Sequence, residues 1–87
     1  MAEHEWRQPG VRKLHLTRID PTKNMARFYI CDIQPDLFGD WTLIREWGRI
    51  GRPGTVRTTT YSTACEAEAA YERQRLFKQR RGYASPQ

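Results

Sequence analysis

Leu14 and Leu16 alternate with basic and polar side chains in VRKLHLTRI (residues 11–19). That is the period of a strand with one buried face. DPTKN (20–24) is dense in turn formers, and MARFYICDIQ (25–34) is rich in aromatic and β-branched residues, so the two runs predict a hairpin. PDLFGD (35–40) reads as a loop and WTLIREWGRI (41–50) as a third strand. Within GRPG (51–54), Pro53 and Gly54 fit the second and third positions of a type II turn, which requires positive φ at Gly54. TVRTTTY (55–61) reads as a fourth strand, its threonines suited to a pleated, half-exposed surface.

The period then changes. Thr63 and Glu66 have capping-box spacing, and Ala64, Ala67, Ala70, Tyr71 and Phe77 gather on one side of a helix running to about Arg80. Leu76 projects away from that stripe, and Gly82 suits the position that stops a helix. The pattern predicts an α+β fold, a small antiparallel sheet of about four strands with one C-terminal helix packed against it. Residues 1–10 show no periodicity and are read as a flexible N-terminal arm, 11–83 as the domain and 84–87 as a C-terminal tail.

A chain of 87 residues makes one domain with a thin core, leaving little room for a large enclosed active site. No apolar run approaches the roughly 18–20 residues of a membrane span, and MAEHEWRQPG lacks the features of a signal peptide. Cys31 and Cys65 have neither CxxC spacing nor a nearby histidine pair, which predicts two reduced, mostly buried thiols in a cytoplasmic protein, with a disulfide between them as the alternative.

Charge sharpens the picture. The net charge is +5 and the pI about 9.7, a balance that favours acidic partners. Residues 1–44 carry six basic and six acidic side chains, so the whole excess lies in 45–87. Twelve of the fifteen cations are arginine, which forks onto phosphate better than lysine does. The helix cations Arg73, Arg75, Lys78, Arg80 and Arg81 have a plain explanation, because they complement the helix dipole for about 0.3–1 kcal/mol each.

The stretch REWGRIGRPG (45–54) is harder to explain that way. In a regular strand Trp47 and Arg49 share a face, while Gly48 leaves the other face bare to a ligand or another backbone. Trp41 and Leu43 have the parity of Trp47, which would make the indole a core residue. Ile44 and Ile50 have the other parity, so the buried face is undeclared and a bulge at Gly48 could re-aim the pair. As a ligand surface, the indole would stack on a sugar or base while arginines met phosphates. Such contacts read structure and charge, not base edges.

WGRIGRPG resembles the signature of the WGR domain, named for the tripeptide found here as Trp47-Gly48-Arg49. NMARFY (24–29), the spacing through LFGDW to WGRIG, and the basic, aromatic tail RRGY (80–83) are similar to the family as well. The likeness covers roughly residues 11–83. It implies a few antiparallel strands with a helix packed on them. In DNA-dependent poly(ADP-ribose) polymerases this domain binds DNA at breaks, with its tryptophan near the terminal nucleotide. Carried over, the resemblance makes Trp47 the stacking residue, Arg49 a polar contact and Asn24 a residue close to DNA. Arg52 and Arg57 join them on charge and position. No transferase domain or zinc finger accompanies the signature, so the chain resembles the short stand-alone form met in bacteria.

Other chemistry is not supported. Gly48-x-x-Gly51 joins strands, unlike the helix-joining GxxG loop of KH domains. The glycines form neither GxGxxG nor a P-loop, so no nucleotide cofactor is expected. His4 and His15 read as ordinary exposed histidines. Asp32, Asp36 and Asp40 lack the calcium-loop pattern, so no metal is expected, and no Ser, His and Asp arrangement suggests an enzyme. The expected function is a non-enzymatic nucleic-acid-binding module for DNA ends or nicks, in the cytoplasm or nucleoid. The alternative is a protein–protein interaction adaptor whose basic face docks an acidic partner.

Overall fold

The computed structural model describes residues 12–86, so the expected arm at 1–10, with His4, lies outside the described residues. Strands β1 (Arg12–Asp20), β2 (Met25–Pro35), β3 (Trp41–Arg49) and β4 (Thr55–Tyr61) form one antiparallel sheet in chain order. Helix α1 (Ala64–Arg80) follows and packs against β2, β3 and β4. The fold is the α+β arrangement that the pattern predicts.

The register decides which face is buried. Leu16 pairs with Tyr29, and Tyr29 with Trp47, so these three share the helix side. Leu16, Tyr29, Cys31, Ile33 and Leu43 meet Ala67, Ala70 and Tyr71 of α1 in the core, with Tyr83 closing one end. The opposite face presents Phe28, Ile30 and Ile44, with Ile19 and Val56 exposed. Cys31 is buried as expected, whereas Cys65 is exposed; both are free thiols.

Two backbone expectations need correcting. The pairing of β2 with β3 runs one-to-one from Arg27–Arg49 to Pro35–Trp41, so Gly48 carries no bulge. Its outward face admits another backbone, one of the two alternatives read from the sequence. A Cβ on Gly48 would meet the Gly54 Cα at 3.1 Å and the Phe28 ring at 3.5 Å. The turn also closes earlier than predicted. Arg52 N–H donates to the Arg49 carbonyl at 3.1 Å, and Gly51, not Gly54, takes the positive φ of +90°. Gly54 is needed for clearance instead, since a Cβ there would lie 2.6 Å from the Trp47 carbonyl oxygen. The Gly-x-x-Gly-x-x-Gly spacing thus lets two chain segments touch under Phe28.

Thr63 caps α1, its hydroxyl accepting from Glu66 N–H at 3.1 Å, and the Glu66 carboxylate accepts from Ser62 at 3.0 Å. At the other end Tyr83 N–H donates to the Lys78 carbonyl and Gly82 N–H to that of Gln79, with Gly82 at φ +94°. This Schellman geometry reverses the chain and returns Tyr83 to the sheet. Ala84 then exchanges two backbone hydrogen bonds with Thr17 on the outer edge of β1.

The buried stripe of α1 departs from expectation. Phe77 is 49% exposed and stands outside the core. The stripe through Ala67, Ala70 and Tyr71 continues at helical spacing into Gln74 and Lys78, both half-buried. The core therefore turns polar toward the C-terminal end of α1, and a cleft opens there.

Candidate functional site

Arg18, Arg27 and Arg49 stand in one row across β1, β2 and β3, each the register partner of the next. Like charges placed directly opposite destabilise a sheet, so the fold does not gain from this row. Two residues along each strand lies the row Leu16, Tyr29, Trp47 and Thr55, followed by Leu14, Cys31, Arg45 and Arg57. Trp47 is therefore flanked on its own strand by Arg45 and Arg49, and the Arg45 guanidinium lies 5.6 Å from its ring.

From α1, Lys78 reaches between two aromatic rings, its Nζ 4.8 Å from Tyr29 and 5.0 Å from Tyr83. Its ammonium is pushed below the usual lysine range, first by desolvation and then by Arg81, Arg27 and Arg45. The Tyr29 hydroxyl donates to Gln74 Oε1 at 3.1 Å, and burial pushes its own ionisation upward.

Two clefts of about 480 Å³ each flank Trp47. Tyr29, Arg45, Trp47, Gln74, Phe77 and Lys78 line one. Arg27, Trp47, Gly48, Arg49, Lys78 and Tyr83 line the other. Trp47 and Lys78 form the wall between them. The indole is half-buried, with its inner side resting against the core. Trp47 thus leans on the core and also lines two clefts.

Among the described residues no carboxylate pairs with the cations around it. The ion pairs among the described residues, Arg12–Glu68 at 3.9 Å and Arg75–Glu72 at 2.6 Å, involve none of the cleft cations. Arg45 Nε is buried with no hydrogen-bond partner among the described residues. Leaving such a donor unmet costs about 1–3 kcal/mol, more where charge is involved. An entering anion would relieve both that cost and the mutual repulsion of the cations.

Of the residues singled out from sequence, Trp47, Arg49 and Asn24 come together. Arg49 Nη1 donates to the Asn24 carbonyl and Nη2 to its side-chain oxygen. Arg57 lies exposed on β4 opposite Arg45, and Arg52 is exposed on the β3–β4 turn. Gly48 edges one cleft with its backbone while Phe28 covers its other side. Arg27, Arg45, Lys78 and Tyr83 were missed as site residues. The parity shared by Arg27 and Tyr29, and the four-residue step from Gln74 to Lys78, were the available signals. His15 is exposed, and no group of three or more His, Cys, Asp or Glu among the described residues could hold a metal ion. No described helix is long and apolar enough to cross a membrane.

A family model described as the WGR domain matches residues 12–87. The chain is also 39% identical over 71 residues to an uncharacterized protein, y4dW, of Sinorhizobium fredii (strain NBRC 101917 / NGR234). That alignment covers 82% of this chain and 35% of the relative, so the chain spans about a third of that protein's length. No solved structure matches significantly.

Proposed function

The chain belongs to the WGR domain family, and on that premise we propose that it is a non-enzymatic module that binds DNA at ends or nicks. One observation carries the reading. Arg27, Arg45, Arg49 and Lys78 converge on a half-exposed tryptophan, and no described carboxylate pairs with any of them. In this reading the free side of the Trp47 indole stacks on a terminal sugar or base, contributing about 1–3 kcal/mol. Arg27, Arg45 and Lys78 meet phosphates in the two clefts, and Arg49 approaches in an orientation set by Asn24. Arg52 and Arg57 extend the basic surface along the flanking backbone. Phosphate contacts and stacking read no base edges, so affinity follows DNA structure and charge rather than sequence. The module acts in the cytoplasm or nucleoid.

The test is fluorescence anisotropy on blunt, nicked and circular duplexes across a salt series, for wild type and Trp47→Ala. Affinity is expected to fall by about 0.9 log units per log unit of salt for each phosphate neutralised. Trp47→Ala is expected to weaken binding to ends more than binding to internal duplex. Equal affinity for circular and linear DNA would remove the preference for ends. Absence of binding at low salt would overturn the reading in favour of an adaptor whose basic face docks an acidic protein.

A further inference from the structure

The loop between β2 and β3 displays two large apolar side chains almost fully, Leu37 at 96% and Phe38 at 88% exposure. The loop is ordered by its own hydrogen bonds. Asp36 Oδ1 accepts from Phe38 N–H at 2.8 Å and from Asp40 N–H at 3.0 Å, and Asp36 N–H donates to the Asp40 carbonyl at 2.9 Å. Gly39 completes the turn at φ +87°. An apolar pair presented on a pre-formed turn loses less entropy on docking than one on a slack loop. Asp36 and Asp40 give it an acidic flank.

The other end of β3 offers the complement. The cleft of Tyr29, Arg45, Trp47, Gln74, Phe77 and Lys78 combines three aromatic rings with two cations. Its volume, about 480 Å³, falls in the range of sites that take up small apolar groups. We propose that Leu37 and Phe38 of one molecule insert into this cleft of a second copy of the chain, with Asp36 and Asp40 facing Arg45 and Lys78. The contact is intermolecular because the loop leaves β3 at Trp41. Six residues of extended strand, about 20 Å, separate that point from Trp47. Donor loop and acceptor cleft are different surfaces, so each added copy leaves one of each free and the assembly grows until a ring closes. The cleft is also part of the proposed DNA surface. The expectation that DNA displaces the loop rests on that reading, whereas the self-association does not.

Sedimentation velocity at low salt, without DNA, tests the contact from micromolar to near-millimolar concentration. The wild-type sedimentation coefficient is expected to rise with concentration and to fall back as salt is added. The double variant Leu37→Asp, Phe38→Asp and the single variant Phe77→Asp should each weaken association by about tenfold or more. All three positions are substantially exposed, and circular dichroism checks that the variants fold. A mixture of the two variants retains one intact loop and one intact cleft, so it should form dimers that grow no further. A monomeric wild type, association that survives in either variant, or a mixture that forms no dimer would each overturn the proposal. Duplex added last is expected to return the wild type to single copies bound to DNA. Growth that persists on DNA would refute the shared cleft.

Discussion

Arg49 is anchored to Asn24 across the end of the sheet, through Nη1 to the carbonyl oxygen at 3.1 Å and Nη2 to the side-chain oxygen at 3.4 Å. Both acceptors are neutral, so the guanidinium is oriented while keeping its charge. Asn24 is also the one described non-glycine residue with positive φ, 51°, in the turn between β1 and β2. Asparagine tolerates that conformation better than other side-chain-bearing residues. The conformation of one turn therefore sets the aim of a cation on another strand.

Asn24→Ala should lower stability by about 1–2 kcal/mol, because alanine resists the left-handed conformation. Asn24→Gly keeps the turn and removes only the side-chain acceptor. Its denaturation midpoint should stay close to wild type while DNA affinity falls by a factor of about 2–10, the worth of one hydrogen bond. Equal affinity for Asn24→Gly and wild type would show that the anchoring is unimportant for binding.

The glycines of the β3–β4 turn should respond differently to substitution. At Gly54 the obstacle is steric, since a Cβ there would lie 2.6 Å from the Trp47 carbonyl oxygen and 2.8 Å from Phe28 Cζ. Gly54→Ala should cost about 1–3 kcal/mol, and Gly54→Asn more. At Gly51 a side chain meets open space and the obstacle is φ alone. There asparagine should be tolerated better than alanine. Urea denaturation of the four variants reads the reversed order directly.

Arg27→Gln should separate binding from folding. The substitution takes the middle charge out of the row Arg18, Arg27 and Arg49, so stability should hold or rise slightly. The slope of log affinity against log salt should become shallower by about 0.9 if Arg27 meets one phosphate. An unchanged slope would place Arg27 outside the contact.

Alkaline pH should destabilise the fold. Burial first of all pushes the Cys31 thiol from 9.0 up to about 11. The native state then holds a proton that the unfolded chain has released, so stability falls between pH 9 and about 11. A shift of that size corresponds to about 2–3 kcal/mol at most. Tyr29 and Tyr71, both raised chiefly by desolvation, act in the same direction. Lys78 acts the other way, since its lowered value makes the unfolded chain the better proton binder just below pH 10.5. Denaturation at stepped pH should show the decline, and Cys31→Ala should flatten it while lowering stability at neutral pH. In the native protein a thiol reagent should label Cys65 quickly and Cys31 only on unfolding.

The strands were legible because alternation and β-branched content need only neighbouring residues to be read. The capped helix and its glycine stop were legible for the same reason. What stayed hidden depended on contacts between distant segments. Gly54 looked like the flexible turn residue because it follows Pro53, but its role comes from an approach to Trp47 that only the β3–β4 pairing creates. The apolar character of Phe77 suits a core position, whereas the sheet beneath that turn of helix offers Tyr29 to Gln74 and to Lys78. Arg27 has nothing local to mark it, and its place in the site follows from being paired with Arg49. Trp47 and Arg49 were visible from their spacing and from the family signature, and the structure adds the cations that surround them.

The proposed binding surface draws on residues from Asn24 to Tyr83, and the strap between Ala84 and Thr17 holds the last of them in place. No contiguous fragment of the chain carries the whole surface. Affinity for a ligand would therefore report on the integrity of the entire domain, and the ligand would in return protect every element, including the distant β1 edge, against exchange and proteolysis.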